Sequence, residues 1–158
     1  HFGVPTKIVR PFNIYGPGMR QNDYRVIPEF LSKALSGKPL NIYKPGTQTR
    51  TFCYSTDALN GFLRVLLDGV PGEPYNIGND HPEITISELA EQMEIVLGSK
   101  IKKTFTEHPD FYPSDEPVRR CPDLKKASIH LAYQPTVSLS EGLRRSINWA
   151  AEHYISKL

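Results

Sequence analysis

An α/β class follows from three features of the 158-residue sequence. Short β-branched or apolar runs alternate with longer segments of helical period, glycine and proline punctuate the joins, and no internal repeat or low-complexity tract breaks the order. The first run, Lys7–Arg10, is stopped by Pro11 and lacks alternation, which predicts a strand buried on both faces, as in a parallel sheet. Asn13-Ile14-Tyr15-Gly16-Pro17-Gly18 then reads as a loop. Ile27, Phe30, Leu31, Ala34 and Leu35 recur at helical spacing, with Pro28 tolerated in the first turn and Gly37 as the stop. Leu40–Tyr43 predicts a strand, followed by a turn at Pro45-Gly46.

A second helix is expected over about Thr56–Leu67, with Leu59, Phe62, Leu63 and Leu66 on one apolar face and Gly69 after its end. Tyr75–Ile77 predicts a short strand closed by Gly78-Asn79. Thr85 and Glu88 form a capping-box pattern that opens a helix, turning Ile86, Leu89, Ala90, Met93, Val96 and Leu97 inward and ending at Gly98. Ile101–Thr106, with lysines nearby, suits an edge strand. Beyond the Pro-rich stretch His108–Pro122, Asp123–Leu131 is expected to be helical. A last helix opens on a second capping box, Ser138 and Glu141, and buries Leu143, Ile147, Ala150 and Tyr154.

Composition narrows the function classes. Hydrophobic residues make up 39% and charged residues 23%, as in an ordinary globular chain, and no apolar run approaches the ~20 residues that cross a bilayer. His1-Phe2-Gly3-Val4-Pro5 has neither an initiator Met nor a signal-peptide layout and reads as a chain beginning midway. Cys53 and Cys121 have no partners at metal-ligand spacing and suit reduced thiols in a cytoplasmic protein. The histidines share no ligand spacing, so no metal is expected. A net charge of +2 is too mild to require nucleic acid. The arginines are nonetheless grouped: Arg20 and Arg25, Arg50, then Arg119 and Arg120. That distribution suits a small polyanion. No glycine-rich strand-to-helix turn of the dinucleotide-binding kind is present.

Arg10-Pro11-Phe12-Asn13-Ile14-Tyr15-Gly16-Pro17 resembles the end of a strand and its following loop in extended short-chain dehydrogenase/reductases of the NAD-dependent epimerase/dehydratase family. The downstream order agrees: Gly37-Lys38-Pro39-Leu40, Gln48-Thr49-Arg50-Thr51-Phe52-Cys53-Tyr54, Tyr75-Asn76-Ile77-Gly78, Arg119-Arg120-Cys121-Pro122-Asp123 and Leu139-Ser140-Glu141-Gly142-Leu143. Within the family, Asn22-Asp23-Tyr24-Arg25-Val26 and the Arg119-Arg120 pair are most similar to UDP-glucuronate decarboxylases. Three segments depart from the usual pattern: Gly18, Lys44-Pro45, and Leu131-Ala132-Tyr133 where Leu-Gly-Trp is common.

The resemblance implies the C-terminal, substrate-binding portion of an extended Rossmann-type enzyme. Residues 1–18 and about 72–80 would join an NAD-binding sheet outside this sequence, while about 19–71 and 81–158 would form the substrate-binding domain. It also implies oxidation of a UDP-sugar at its 4-position with NAD, followed by loss of carboxylate, and a homodimeric parent. A 4-epimerase or 4,6-dehydratase is the alternative reaction, and a non-catalytic UDP-sugar-binding module the alternative class. This chain alone, without the Tyr–Lys catalytic pair, is expected to be inactive.

The resemblance puts Arg50 on the nucleotide diphosphate, a ligand that its planar fork of donors suits. Arg119 and Arg120 are both substrate-binding candidates; extended neighbours point to opposite sides, so Arg120 is favoured on the ligand and Arg119 in an ion pair, against both lying on a solvated loop. Asn13, able to donate and accept at a strand mouth, suits a sugar hydroxyl or phosphate oxygen, against a plain turn-forming role. Tyr43 is a candidate wall of the nucleotide pocket, against core packing. The resemblance puts Phe12 beside the nicotinamide, and Arg25 beside both nicotinamide and sugar carboxylate. The competing reading of Arg25 is a surface arginine at a helix entry.

Overall fold

The computed structural model describes residues 3–21, 23–109 and 115–154. The initial His1-Phe2, Asn22 of the decarboxylase-like segment and residues 110–114 of the Pro-rich stretch lie outside the described residues. Among these residues the order is β1 (Ile8–Pro11), β2 (Ile14–Tyr15), α1 (Val26–Leu35), β3 (Leu40–Tyr43), β4 (Thr49–Arg50), β5 (Cys53–Tyr54) and α2 (Ser55–Asp68). There follow β6 (Pro74–Ile77), β7 (Ile84–Thr85), α3 (Ile86–Leu97), β8 (Lys103–Thr106), β9 (Arg119–Arg120), α4 (Lys125–Leu131) and α5 (Leu139–His153).

Pairing is mostly parallel. β1 lies on β6 with Val9 opposite Tyr75, β2 on β5, and β3 on β8 with Ile42 opposite Phe105. β4 is flanked by antiparallel β7 and parallel β9. Two-residue strands carry no periodicity, which is why β2 falls in a segment read as loop and β9 in the Pro-rich stretch.

Two apolar cores organise the chain. The first gathers α1, β3, α3 and α5 around Phe30, Leu40, Ile42, Leu89, Met93 and Leu143, each such side chain contributing about 1.5–3 kcal/mol. Thr85 caps α3 as expected: its hydroxyl accepts from the Glu88 N–H at 3.1 Å, and the Glu88 carboxylate accepts from the Thr85 N–H at 2.7 Å. Gly98 ends the helix in the left-handed conformation, φ 67°. The second core joins α2 and α4 to β6 through Cys53, Ala58, Val65, Tyr75, Ile77 and Tyr133, with Val9 of β1 packed against it.

Three expectations are corrected. β1 is largely exposed, because among the described residues its only strand neighbour is β6. On α2 the leucine stripe faces outward: Leu59, Leu63 and Leu66 are 57%, 49% and 65% exposed, and the helix instead buries Asp57, Ala58, Gly61 and Val65. The small side is required there, since a Cβ on Gly61 would stand 2.5 Å from Ile77 and 2.8 Å from Tyr133. The second capping box is half formed. Ser138 accepts from the Glu141 N–H at 3.3 Å, but the Glu141 carboxylate turns to Arg144 and Arg145.

Candidate functional site

A cleft of about 400 Å³ opens where β2, β3, β4 and the start of α1 converge. Asn13, Arg25, Tyr43, Arg50 and Arg120, drawn from five separate segments, all line it. Arg119 and Phe12 do not.

The strand pairing explains how the arginines are divided. Arg50 stands opposite Arg120 and Thr49 opposite Arg119 across β4 and β9, so the pleat sends the first pair to one face and the second to the other. On the far face Glu83 takes the Arg119 guanidinium at 2.7 Å and the Thr49 hydroxyl at 2.5 Å. Those contacts hold its carboxyl below the usual carboxylate range. On the cleft face Arg50 is only 6% exposed. Its Nη1 donates to the carbonyls of Thr49 (2.7 Å) and Val118 (3.2 Å), and its Nη2 to Glu116 Oε1 at 2.7 Å. Arg120 Nη2 donates to the other oxygen of Glu116 at 3.3 Å. Two guanidiniums thus share one wall, with one carboxylate between them.

Asn13 has φ 43°, the left-handed region asparagine tolerates, and its Nδ2 donates to the Thr51 carbonyl at 2.7 Å. That bond ties the loop after β1 to the strand that carries Arg50. Tyr43 contributes a half-buried ring, 4.9 Å from the His108 imidazole, and burial raises its hydroxyl above the usual range. Arg25 lies at the rim with its side chain 63% exposed, paired with Asp23 through Nε at 3.0 Å and Nη2 at 2.5 Å. The pairing lowers the Asp23 carboxyl. Asp23 Oδ1 also accepts from the Arg25 N–H at 3.0 Å, which fixes the chain just before α1. Phe12 sits beside Gly78 at the end of β1, and its N–H donates to the Ile77 carbonyl at 2.9 Å.

Among the polar residues of this cleft that sequence reasoning missed are Asn41, Gln48 and Glu116. Gln48 Oε1 is buried without a hydrogen-bond partner, while its Nε2 reaches the Tyr43 carbonyl at 3.4 Å. An unmet buried acceptor of this kind costs about 1–3 kcal/mol. Glu116 stands four residues before Arg120, a spacing that signals a pair only on a helix, and Pro117 between them removes that signal. Among the described residues, no group of three histidine, cysteine or acidic side chains is placed to hold a metal ion. No helix there is long and apolar enough to cross a membrane.

Residues 1–78 match the NAD dependent epimerase/dehydratase family, and the chain belongs to that family. UDP-glucuronic acid decarboxylase 3 of Arabidopsis thaliana is 42% identical over 141 residues, covering 89% of this chain and 40% of the relative. UDP-N-acetyl-alpha-D-glucosaminuronate decarboxylase of Bacillus cytotoxicus is 37% identical over 153 residues, 95% of this chain and 47% of the relative. Among solved structures, UDP-glucuronic acid 4-epimerase from Bacillus cereus, in complex with UDP-glucuronic acid and NAD, matches with a TM-score of 0.85 and 33% identity, over 96% of this chain and 46% of that one. The chain therefore spans less than half the length of these relatives. The α/β class with parallel pairing agrees with the expected fold.

Proposed function

We propose that this chain is the substrate-binding part of an NAD-dependent enzyme acting on a UDP-linked acidic sugar, and that the reaction is decarboxylation of UDP-glucuronate. The observation that carries the reading is the Arg50–Arg120 pair, side by side on one wall of the cleft. A diphosphate presents two anionic groups a few ångströms apart, and paired guanidiniums meet them with directed, charge-assisted hydrogen bonds. The names of the three relatives agree in one respect: each specifies a UDP-linked uronic acid. A carboxylate on the sugar gives Arg25, another cleft residue, a group to orient for departure. Tyr43 and the apolar residues near it supply the wall for the nucleoside.

The residues here meet the requirement for a UDP-sugar better than for the dinucleotide. No glycine-rich turn leads into a helix among the described residues, so a pyrophosphate cradle for NAD is not made by them. This chain offers the end of β1, at Phe12 and Asn13. NAD, when bound, supplies the oxidant for the sugar 4-position; what these residues do is hold the sugar nucleotide in place for it. The outward leucines of α2 and the open side of β1 support a companion assignment: they receive the rest of the family's fold, which the relatives contain and this chain does not.

Epimerisation at the same carbon is the second reading, favoured by the Bacillus cereus match. The test has two arms. Calorimetry of this chain with UDP should give binding that Arg50→Ala weakens about 10–100-fold, the loss expected for a charged hydrogen-bond donor. A longer protein containing this chain, incubated with UDP-glucuronate and NAD, should release carbon dioxide. Formation of the 4-epimer with no carbon dioxide would replace decarboxylation by epimerisation.

A further inference from the structure

The wall that suits a diphosphate already holds an anion. Glu116 spans the two arginines with one oxygen each, 2.7 Å to Arg50 Nη2 and 3.3 Å to Arg120 Nη2. That is the bridging arrangement a phosphoryl group would adopt between the same two guanidiniums. Arg50 is held in place by other means, since its Nη1 bonds to the Thr49 and Val118 carbonyls. Glu116 is therefore not needed to aim it. The carboxylate itself is a quarter exposed, 26%, and belongs to no helix or strand, so it can withdraw without breaking a ladder. β4 and β9 stay joined by backbone hydrogen bonds on either side of Arg50: Thr49 N–H to the Val118 carbonyl at 2.8 Å and Thr51 N–H to the Arg120 carbonyl at 3.4 Å.

We infer that Glu116 is a built-in competitor for the diphosphate: in the free protein its carboxylate occupies the anion position between Arg50 and Arg120, and the sugar nucleotide binds by displacing it. The inference rests on the diphosphate reading of this cleft. Its physical basis is charge. With Glu116 in place the trio carries a net single positive charge, and with it withdrawn the ligand meets two. Leaving the carboxylate beside two phosphates would set like charges against each other in a poorly solvated wall. Glu116 also gives both arginines an anionic partner once product leaves. The part-buried ion pair thereby limits affinity and favours release. It makes Glu116 a specificity-determining residue for the charge of the ligand, with no part in the chemical step.

Glu116→Gln and Glu116→Asp separate this from an aiming role. Glu116→Gln keeps an oxygen for Arg50 but removes the charge. UDP should then bind about tenfold more tightly, a difference of about 1.4 kcal/mol, while uridine, which has no phosphate, binds unchanged. Glu116→Asp keeps the charge and should stay close to the original affinity for UDP. Weaker UDP binding by Glu116→Gln, or an equal change for uridine, would overturn the inference. Should Glu116→Gln not fold, a structure of the unaltered chain with UDP decides: Glu116 turned away from both arginines supports displacement, and Glu116 still bridging them refutes it. If UDP binds neither the unaltered chain nor the variant, the diphosphate reading itself fails.

Discussion

Helices α2 and α3 carry the same sequence signal and meet opposite fates. On α3, Leu89 and Met93 are fully buried against α5 and β3. On α2, Leu59, Leu63 and Leu66 stand about half exposed or more, and Ile8 of β1 is 42% exposed. Both stripes satisfy a helical period. The difference is what the chain provides opposite them: three helices close around β3, whereas β1 and β6 form two strands of parallel sheet with α2 and α4 on them. Parallel sheets are stable when covered on both faces and continued at their edges. The first core is therefore closed among the described residues, whereas the second leaves the leucine face of α2 and much of β1 exposed.

The same substitution in the two regions gives the largest contrast. Leu89→Ala should lower unfolding free energy by about 2–5 kcal/mol, the range for a leucine removed from a closed core. Leu63→Ala should change it by no more than about 0.5 kcal/mol in this chain, measured by urea denaturation. In a longer protein containing this chain, Leu63→Ala should rise to about 2 kcal/mol if the missing fold covers α2. An unchanged small effect there would break the comparison and leave the α2 stripe unexplained.

That contrast marks what could be read in advance. Periodicity and capping located α1, α3 and α5 and the strands β3 and β6 almost residue for residue, because each is long enough, or cleanly enough bounded, to show its own period. It also reported the leucine face of α2 but not its partner, since a pattern states only that a face is apolar. The cleft was partly legible. Asn13, Arg25, Tyr43, Arg50 and Arg120 were named from side-chain chemistry, strand geometry and motif resemblance, and the structure gathers them on one cleft. Arg119 was separated from Arg120 by strand geometry alone, and its pair with Glu83 follows that expectation. Glu116 could not be found, because a residue in a Pro-rich loop is brought to the site by a two-residue strand pairing that has no local signature.

Acid should loosen the closed region through Glu94. Its carboxylate lies at the C-terminal end of α3, 6% exposed, and accepts from the Ile101 N–H at 2.9 Å and from Lys100 and Lys103 at 3.1 Å each. These partners hold its pKa at about 2, below the ordinary 4.5. A lowered folded-state value means the contribution is fully present above about 4.5 and is lost as pH falls toward 2. Glu94→Gln should therefore melt earlier than the unaltered chain at pH 7, with the gap closing across that window. Glu141 is also lowered to about 2, by Arg144 and Arg145, but those three are surface side chains whose coupling salt should screen. A pH-dependent gap between Glu94→Gln and the unaltered chain that vanished in 1 M salt would place the acid sensitivity on the surface instead.

The smallest effect tests the open region. Ala132 follows α4 with φ 49° and ψ 32°, a left-handed conformation in which a Cβ crowds the neighbouring carbonyl. The strain is tolerated because its neighbours are anchored: Leu131 and Tyr133 are both buried, and the Tyr133 hydroxyl donates to the Gly78 carbonyl at 2.8 Å. Ala132→Gly should relieve it and raise stability by about 0.5–1 kcal/mol, less than the full strain because glycine also loosens the unfolded chain. If the second core is only marginally closed, the gain should appear chiefly as slower hydrogen exchange in α4 and β6, with little change in α3 and α5. Equal protection in both regions would mean that the two cores unfold as one unit, and that the exposed face of α2 weakens the whole chain rather than its own half.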